Sequence, residues 1–151
     1  MATYLLNWNP RKWEWTHFHD QLRELAERGS FLEPWDTGAS RRFQEGDRVF
    51  LLRQGVEPRG IIASGEVRGA PYTDEHWTGD GRTANYVAIE WDQMFDPFVD
   101  EILPRHALER LQPMHWDPQR SGTRVPDVVA VELEREWARV VERNRSRTIC
   151  R

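Results

Sequence analysis

The sequence predicts an α+β domain, a small β-barrel of about five or six strands with helices packed outside it. Three observations predict this. Two apolar runs of strand length, Val49-Phe50-Leu51-Leu52 and Ile61-Ile62-Ala63 through Val67, are joined by the turn-forming stretch Gln54-Gly55-Val56-Glu57-Pro58. Leu133, Trp137, Val140 and Val141 recur at helical spacing near the end of the chain. The 151 residues, 38% hydrophobic and 30% charged, suit one globular domain with a core of useful size.

The elements follow in order. Tyr4-Leu5-Leu6 is a short strand that opens into the loop Asn7-Trp8-Asn9-Pro10. A helix comes next, with Thr16 as its N-cap, Phe18, Leu22, Leu25 and Ala26 on one face, and Gly29 ending it. Phe31 to Gly38 reads as a loop or short strand. The central pair follows, bracketed by Gly46, Gly60 and Gly65. Pro71 to Arg82 is a long polar stretch holding Tyr72, His76 and Trp77, and Tyr86 to Trp91 is a further strand. Pro104 sits at the first turn of a short helix over Arg105 to Leu111. His115 to Arg124 is a polar loop, and the tail helix runs from about Val128 to Arg145.

No apolar run approaches a membrane span, and the N-terminus lacks a basic-then-apolar leader, so a cytoplasmic protein is expected. Cys150 is the single cysteine, which excludes an internal disulfide and a cysteine-based zinc site. Net charge is −4, and the 21 basic residues include a single lysine, Lys12. The charge is uneven. Residues 61–104 are strongly acidic, whereas the segment from Arg105 onward is rich in arginine, so an acidic total leaves room for a basic face.

Enzyme signatures are missing. Gly60 to Gly65 lacks the lysine of a phosphate-binding loop, and no nucleophile-elbow pattern occurs. His17 and His19 stand at a helix start, where neighbours two apart point away from each other. His76, His106 and His115 are isolated. No metal, cofactor or catalytic residue is therefore predicted.

The eight tryptophans are the better lead. Trp13, Trp15, Trp91 and Trp137 lie in or beside expected helices and strands and read as core. Trp8, Trp35, Trp77 and Trp116 lie among Asn, Asp, Gly and Pro, where an indole either folds back onto the core or lines a pocket. Facing indoles make a slot for a planar base, and Asn7 and Ser121 could read that base's edge. Arg41, Arg42, Arg120 and Arg124 share these loops and are candidates for phosphate contacts; the plain alternative is solvated surface charge.

These stretches together resemble an EVE domain of the PUA-like superfamily, over about residues 4–140. The resemblance rests on Tyr4 to Pro10, Trp35-Asp36-Thr37-Gly38, Gly46 to Leu52, Gly60 to Val67, Ser121 to Val125 and the Leu133 to Trp137 helix. Asn7-Trp8-Asn9-Pro10 and Trp116-Asp117-Pro118-Gln119-Arg120-Ser121-Gly122 look most like the EVE-like modules that precede HNH nucleases in modification-dependent restriction enzymes. In the commoner stand-alone EVE pattern a Lys-Ser-Glu-Pro-like start and an Arg-Asn-Tyr-like run occupy the places held here by Asn7 to Pro10 and Ser40 to Phe43. The resemblance implies a reader domain over residues 1–145 with a basic tail or linker at 146–151. It implies duplex DNA carrying 5-methylcytosine or 5-hydroxymethylcytosine as partner, with the base flipped into an aromatic pocket to which Ser64 also belongs. It implies a non-catalytic module, fused or associated with a nuclease, since no His-Asn-His cluster is present. An RNA reader and a nucleoside- or small-molecule-binding module are the alternatives.

Overall fold

The central runs are apolar at every position because both of their faces are covered. In the computed structural model, which describes residues 1–38, 40–76 and 78–149, β3 (Arg48–Arg53) and β4 (Gly60–Val67) pair antiparallel. Side chains alternate along a strand. Val49 and Leu51 accordingly enter one buried cluster, and Phe50 and Leu52 a second.

Around this pair stand β1 (Thr3–Trp8), β2 (Phe31–Gly38), β5 (Tyr72–Glu75), β6 (Thr83–Met94), β7 (Leu103–Pro104) and β8 (Thr123–Val125). The main path runs β2-β6-β4-β3-β1-β8, with β5 added to β6 and β7 to β4. The sheet curls like a barrel without closing: among the described residues no ladder joins β2 to β8. β1 pairs parallel with β3, which requires a crossover. Helix α1 (Phe18–Arg28) and β2 supply it. Gly65 marks the bulge where β4 meets β6, since a Cβ there would lie 2.7 Å from the Glu90 carbonyl oxygen.

The first cluster fills the curl of the sheet and contains Leu6, Trp8, Trp15, Phe18, Trp35, Val87 and Trp91. The second lies between the outer face of the sheet and the helices α2 (Arg105–Leu108) and α3 (Asp127–Ile149). From α3 it takes Val129, Leu133, Trp137 and Val140, a stripe of helical spacing.

Several boundaries differ from the sequence expectation. Helix α1 starts one residue after His17, and Thr16 does not cap it. Gly29 does end it, in the left-handed conformation with its N–H donating to Leu25 O. Phe31 to Gly38 is a full strand, because β6 extends to twelve residues and offers it an edge along its length. The polar stretch after Pro71 contains β5, paired with the start of β6. All four residues of β5 are exposed, which leaves no apolar signal there. Helix α3 runs through Ile149, so residues 146–149 continue the helix. No helix among the described residues is long and apolar enough to cross a membrane.

Candidate functional site

The sheet's open seam makes a cavity. β1 and β8 pair only as far as Leu5 and Thr123. Beyond that point the segment 117–121 crosses over the end of β1. Ser121 takes the place of a strand partner there: its Oγ accepts from the Asn7 backbone N–H at 2.8 Å and from Trp35 Nε1–H at 3.3 Å. Between the ends of β1 and β3, the strand β2 and this segment lies a cavity of about 660 Å³. That is a volume typical of small-ligand sites.

Its apolar wall is a group of indoles. Trp8, Trp13 and Trp35 line it, and Trp15 and Trp91 back them. Trp13 stacks on Trp15 at 5.5 Å and meets Trp35 edge-on at 5.6 Å. Trp35 is edge-on to Trp91 at 5.8 Å. Such pairs each add about 0.5–1.5 kcal/mol beyond burial, so the wall is preorganised. Trp8 is hemmed in by Trp15, by Phe18 and by the buried guanidinium of Arg53, 5.5 Å from its ring centre. Its indole N–H holds the Trp13 carbonyl at 3.0 Å. Of the five rings only Trp13 is half-exposed. Trp8 and Trp35 therefore shape the wall, and Trp13 offers the most accessible surface.

Polar groups sit at defined places on the wall. Asn7 Nδ2 donates to Pro118 O at 2.6 Å, and Gln54 Nε2 donates to both Asn7 Oδ1 (2.9 Å) and Pro118 O (2.8 Å). This knot ties the 117–121 segment to the ends of β1 and β3. It also fixes the Gln54 amide, leaving Oε1 without a donor among the described residues. The Ser121 hydroxyl has both acceptor positions occupied, so toward a ligand it can only donate. Gly55, at φ +85°, lies against the Asn9 side chain, and a larger residue would collide with it.

Four cations, Lys12, Arg59, Arg105 and Arg120, and three carboxylates, Glu33, Asp36 and Asp117, also line the cavity. Arg105 pairs with Asp117 and Glu109 and holds the Asp117 carboxyl below the usual carboxylate range. Arg59 pairs with Glu57. Lys12 and Arg120 have no carboxylate partner among the described residues. Neither do Arg41, bound to Thr73 and Asn85, and Arg42, bound to the Gly122 carbonyl.

The structure thus brings Asn7, Trp8, Trp35, Ser121 and Arg120 to one cavity, with Arg42 on the adjoining segment. It does not bring the other expected residues there. Trp116 is 3% exposed and belongs to the second cluster under α3, its indole N–H directed at Leu111 O. The ring folds back from a polar loop because burying its large apolar surface in that cluster is favourable. Ser64 is wholly buried on the sheet's other side, accepting from Trp137 Nε1–H and donating to Asp92. Arg124 pairs with Asp127 at the start of α3. Trp77 and Cys150 lie outside the described residues. Among the described residues no group of three or more potential metal ligands occurs, and His19 pairs with Asp96.

Sequence reasoning missed Trp13, Lys12, Gln54 and Glu33. Trp13 was expected in the core, beside a helix. It follows a turn closed by Asn9 O, which accepts from Lys12 N–H and Trp13 N–H at 3.0 and 3.2 Å. The Lys-Trp-Glu-Trp pattern, indoles alternating with charges outside any helix period, was the available signal.

No protein-family model matches the chain, and no curated protein does either. Solved structures do. Human THYN1 protein, in complex with 5-methylcytosine-containing DNA, matches with a TM-score of 0.65 at 12% identity, over 90% of this chain and 98% of that one. The fold is PUA-like. A hypothetical protein from Leishmania major matches with a TM-score of 0.65 at 20% identity, over 89% and 93% of the two chains. A mutant of the ZmASCH protein from Zymomonas mobilis matches with a TM-score of 0.54 at 9% identity, over 89% and 97%. At these identities the likeness establishes the PUA-like architecture alone.

Proposed function

We propose that this chain is a non-catalytic reader of modified cytosine in duplex DNA that takes a flipped base into the cavity between β1 and β2. The observation that carries the reading is the combination at one seam of an indole wall, hydrogen-bonding groups on its edge and uncompensated cations at Lys12 and Arg120. The THYN1 complex with 5-methylcytosine-containing DNA, on the same fold, supports the choice of partner.

The energetics are consistent. Extracting a base costs a few kcal/mol. Stacking on an aromatic side chain returns about 1–3 kcal/mol, and edge hydrogen bonds supply the rest. The 5-methyl group adds about 0.8 kcal/mol if buried. Preference for the modified base over cytosine is then a few-fold from burial alone, and larger where an unfilled space is penalised. The exposed cations supply the sequence-independent, salt-dependent share.

A titration of the chain with matched duplexes, one carrying a single 5-methylcytosine and one unmodified, tests the reading. Tighter binding of the modified duplex is expected, with affinity for both falling as salt rises. Equal and salt-insensitive affinities would remove the proposal. Preference for single-stranded RNA carrying the same base would move the partner to RNA, and tight binding of free 5-methylcytosine nucleoside would identify a small-molecule site.

A further inference from the structure

Resting on the reading of the cavity as a base pocket, we infer that Glu33 and Ser121 make it select bases with an exocyclic amino group, taking cytosine-type bases and turning away thymine and uracil. Alternation along β2 places Glu33 on the same face as Phe31, Trp35 and Thr37, pointing into the curl of the sheet, while Leu32 and Pro34 are exposed. Glu33 and Ser121 flank one indole. Glu33 stands two residues from Trp35 on the same face, and Ser121 accepts the Trp35 indole N–H at 3.3 Å. Both line the cavity.

The carboxylate is oriented by a relay from the indole wall. Trp15 Nε1–H donates to Gln21 Oε1 at 2.6 Å, which fixes the Gln21 amide. Gln21 Nε2–H then donates to Glu33 Oε2 at 3.0 Å. Glu33 Oε1 has no donor among the described residues. Among the described residues no lysine or arginine pairs with Glu33, and burial pushes its carboxyl above the usual range. A half-buried carboxylate kept without a cation beside a cavity is a candidate for ligand recognition.

The two groups have opposite and fixed polarity. An ionised Glu33 only accepts, and Ser121 toward the cavity only donates. Cytosine presents an amino donor beside the N3 acceptor, which complements this pair. Thymine presents O4 as an acceptor beside an N3–H donor, so it would set acceptor against carboxylate and donor against hydroxyl. Leaving such groups desolvated and mismatched discriminates more strongly than filling or emptying an apolar space. Adenine shares cytosine's order of donor and acceptor, so this pair of groups separates cytosine from thymine and uracil and not from adenine.

The test compares full-chain binding to three duplexes, with a single 5-methylcytosine, thymine or cytosine at one position, each opposite an abasic site. 5-Methylcytosine and thymine differ only in the groups at positions 3 and 4, and no base has a pairing partner to lose. Wild type is expected to prefer 5-methylcytosine to thymine by about tenfold or more. Glu33→Gln keeps the Gln21 bond through its amide oxygen and can turn an N–H toward thymine O4. It is expected to bring the two affinities within about twofold of each other, with the far-UV circular dichroism of the wild type. Equal wild-type affinities for the 5-methylcytosine and thymine duplexes, with 5-methylcytosine still bound better than cytosine, would overturn the selection by amino group while leaving the base pocket standing. An unchanged preference in folded Glu33→Gln would overturn the role of Glu33. Failure of wild type to bind any of these duplexes would overturn both readings.

Discussion

Glu33 shows at residue scale how the fold gives up stability at the cavity. Desolvation is the largest influence on its carboxyl and raises the pKa, and Glu24 raises it further. His17 and the Gln21 hydrogen bond lower it by less. The folded chain therefore holds this proton more tightly than the unfolded chain. The favourable contribution is complete at acid pH, below the unfolded value, and is lost as pH rises through the folded value. Glu33→Gln should accordingly melt higher than wild type near neutral pH and gain nothing below about pH 4, where Glu33 is itself protonated. Melting curves across that range check this, and a variant less stable than wild type at neutral pH would mean that the charged carboxylate is held favourably. Glu33 was not legible as a site residue because a glutamate in a mixed stretch such as Phe31-Leu32-Glu33-Pro34-Trp35 reads as surface until the strand and its register are known.

At the scale of elements, the two faces of the sheet separate residues that look alike in sequence. Trp13 and Trp116 both lie outside regular structure among polar neighbours. Trp13 follows the turn after β1 and lines the cavity, whereas Trp116 fills the second cluster beneath α3. Truncating them should have opposite consequences. Trp116→Ala is expected to cost about 3–5 kcal/mol of stability by urea unfolding, as large aromatic deletions in cores do, and to leave DNA selectivity in the folded fraction intact. Trp13→Ala, at a half-exposed ring, should cost less stability but weaken binding of modified DNA by about 1–3 kcal/mol, one lost stacking platform. If Trp116→Ala abolished discrimination while leaving the fold stable, the assignment of the two rings would be reversed. The strands β3 and β4, the C-cap at Gly29 and the buried stripe of α3 were legible because each has a local signature: a run, a left-handed glycine, a period. β5 was not, since its four residues are exposed and it is held by its ladder to β6 rather than by an apolar run of its own. Ser64 was misplaced for a related reason. Position in a central strand says nothing about which face a side chain takes, and here it turns toward Trp137 and Asp92.

For the whole molecule, the decisive feature is a sheet that curls but leaves β2 and β8 unpaired, with the 117–121 segment knotted across the gap by Asn7, Gln54 and Ser121. Asn7 and Trp8, Trp35, and Arg120 and Ser121 fall in three distant stretches of the chain and were singled out from their loop composition. Only the closure of the seam shows that they share a cavity, and only the seam adds Trp13, Lys12, Gln54 and Glu33 to them. The acidic net charge obscured this arrangement, because residues 61–104 set nine acids against two arginines while Lys12 and Arg120 remain without a carboxylate partner among the described residues beside the cavity. The most direct test of the central claim is the crystal structure of the chain with a duplex carrying one 5-methylcytosine. The account predicts that base outside the helical stack, lying between β1 and β2 against Trp13 with its amino edge toward Glu33. A duplex bound with every base still stacked, or a base held on any other face of the sheet, would contradict it.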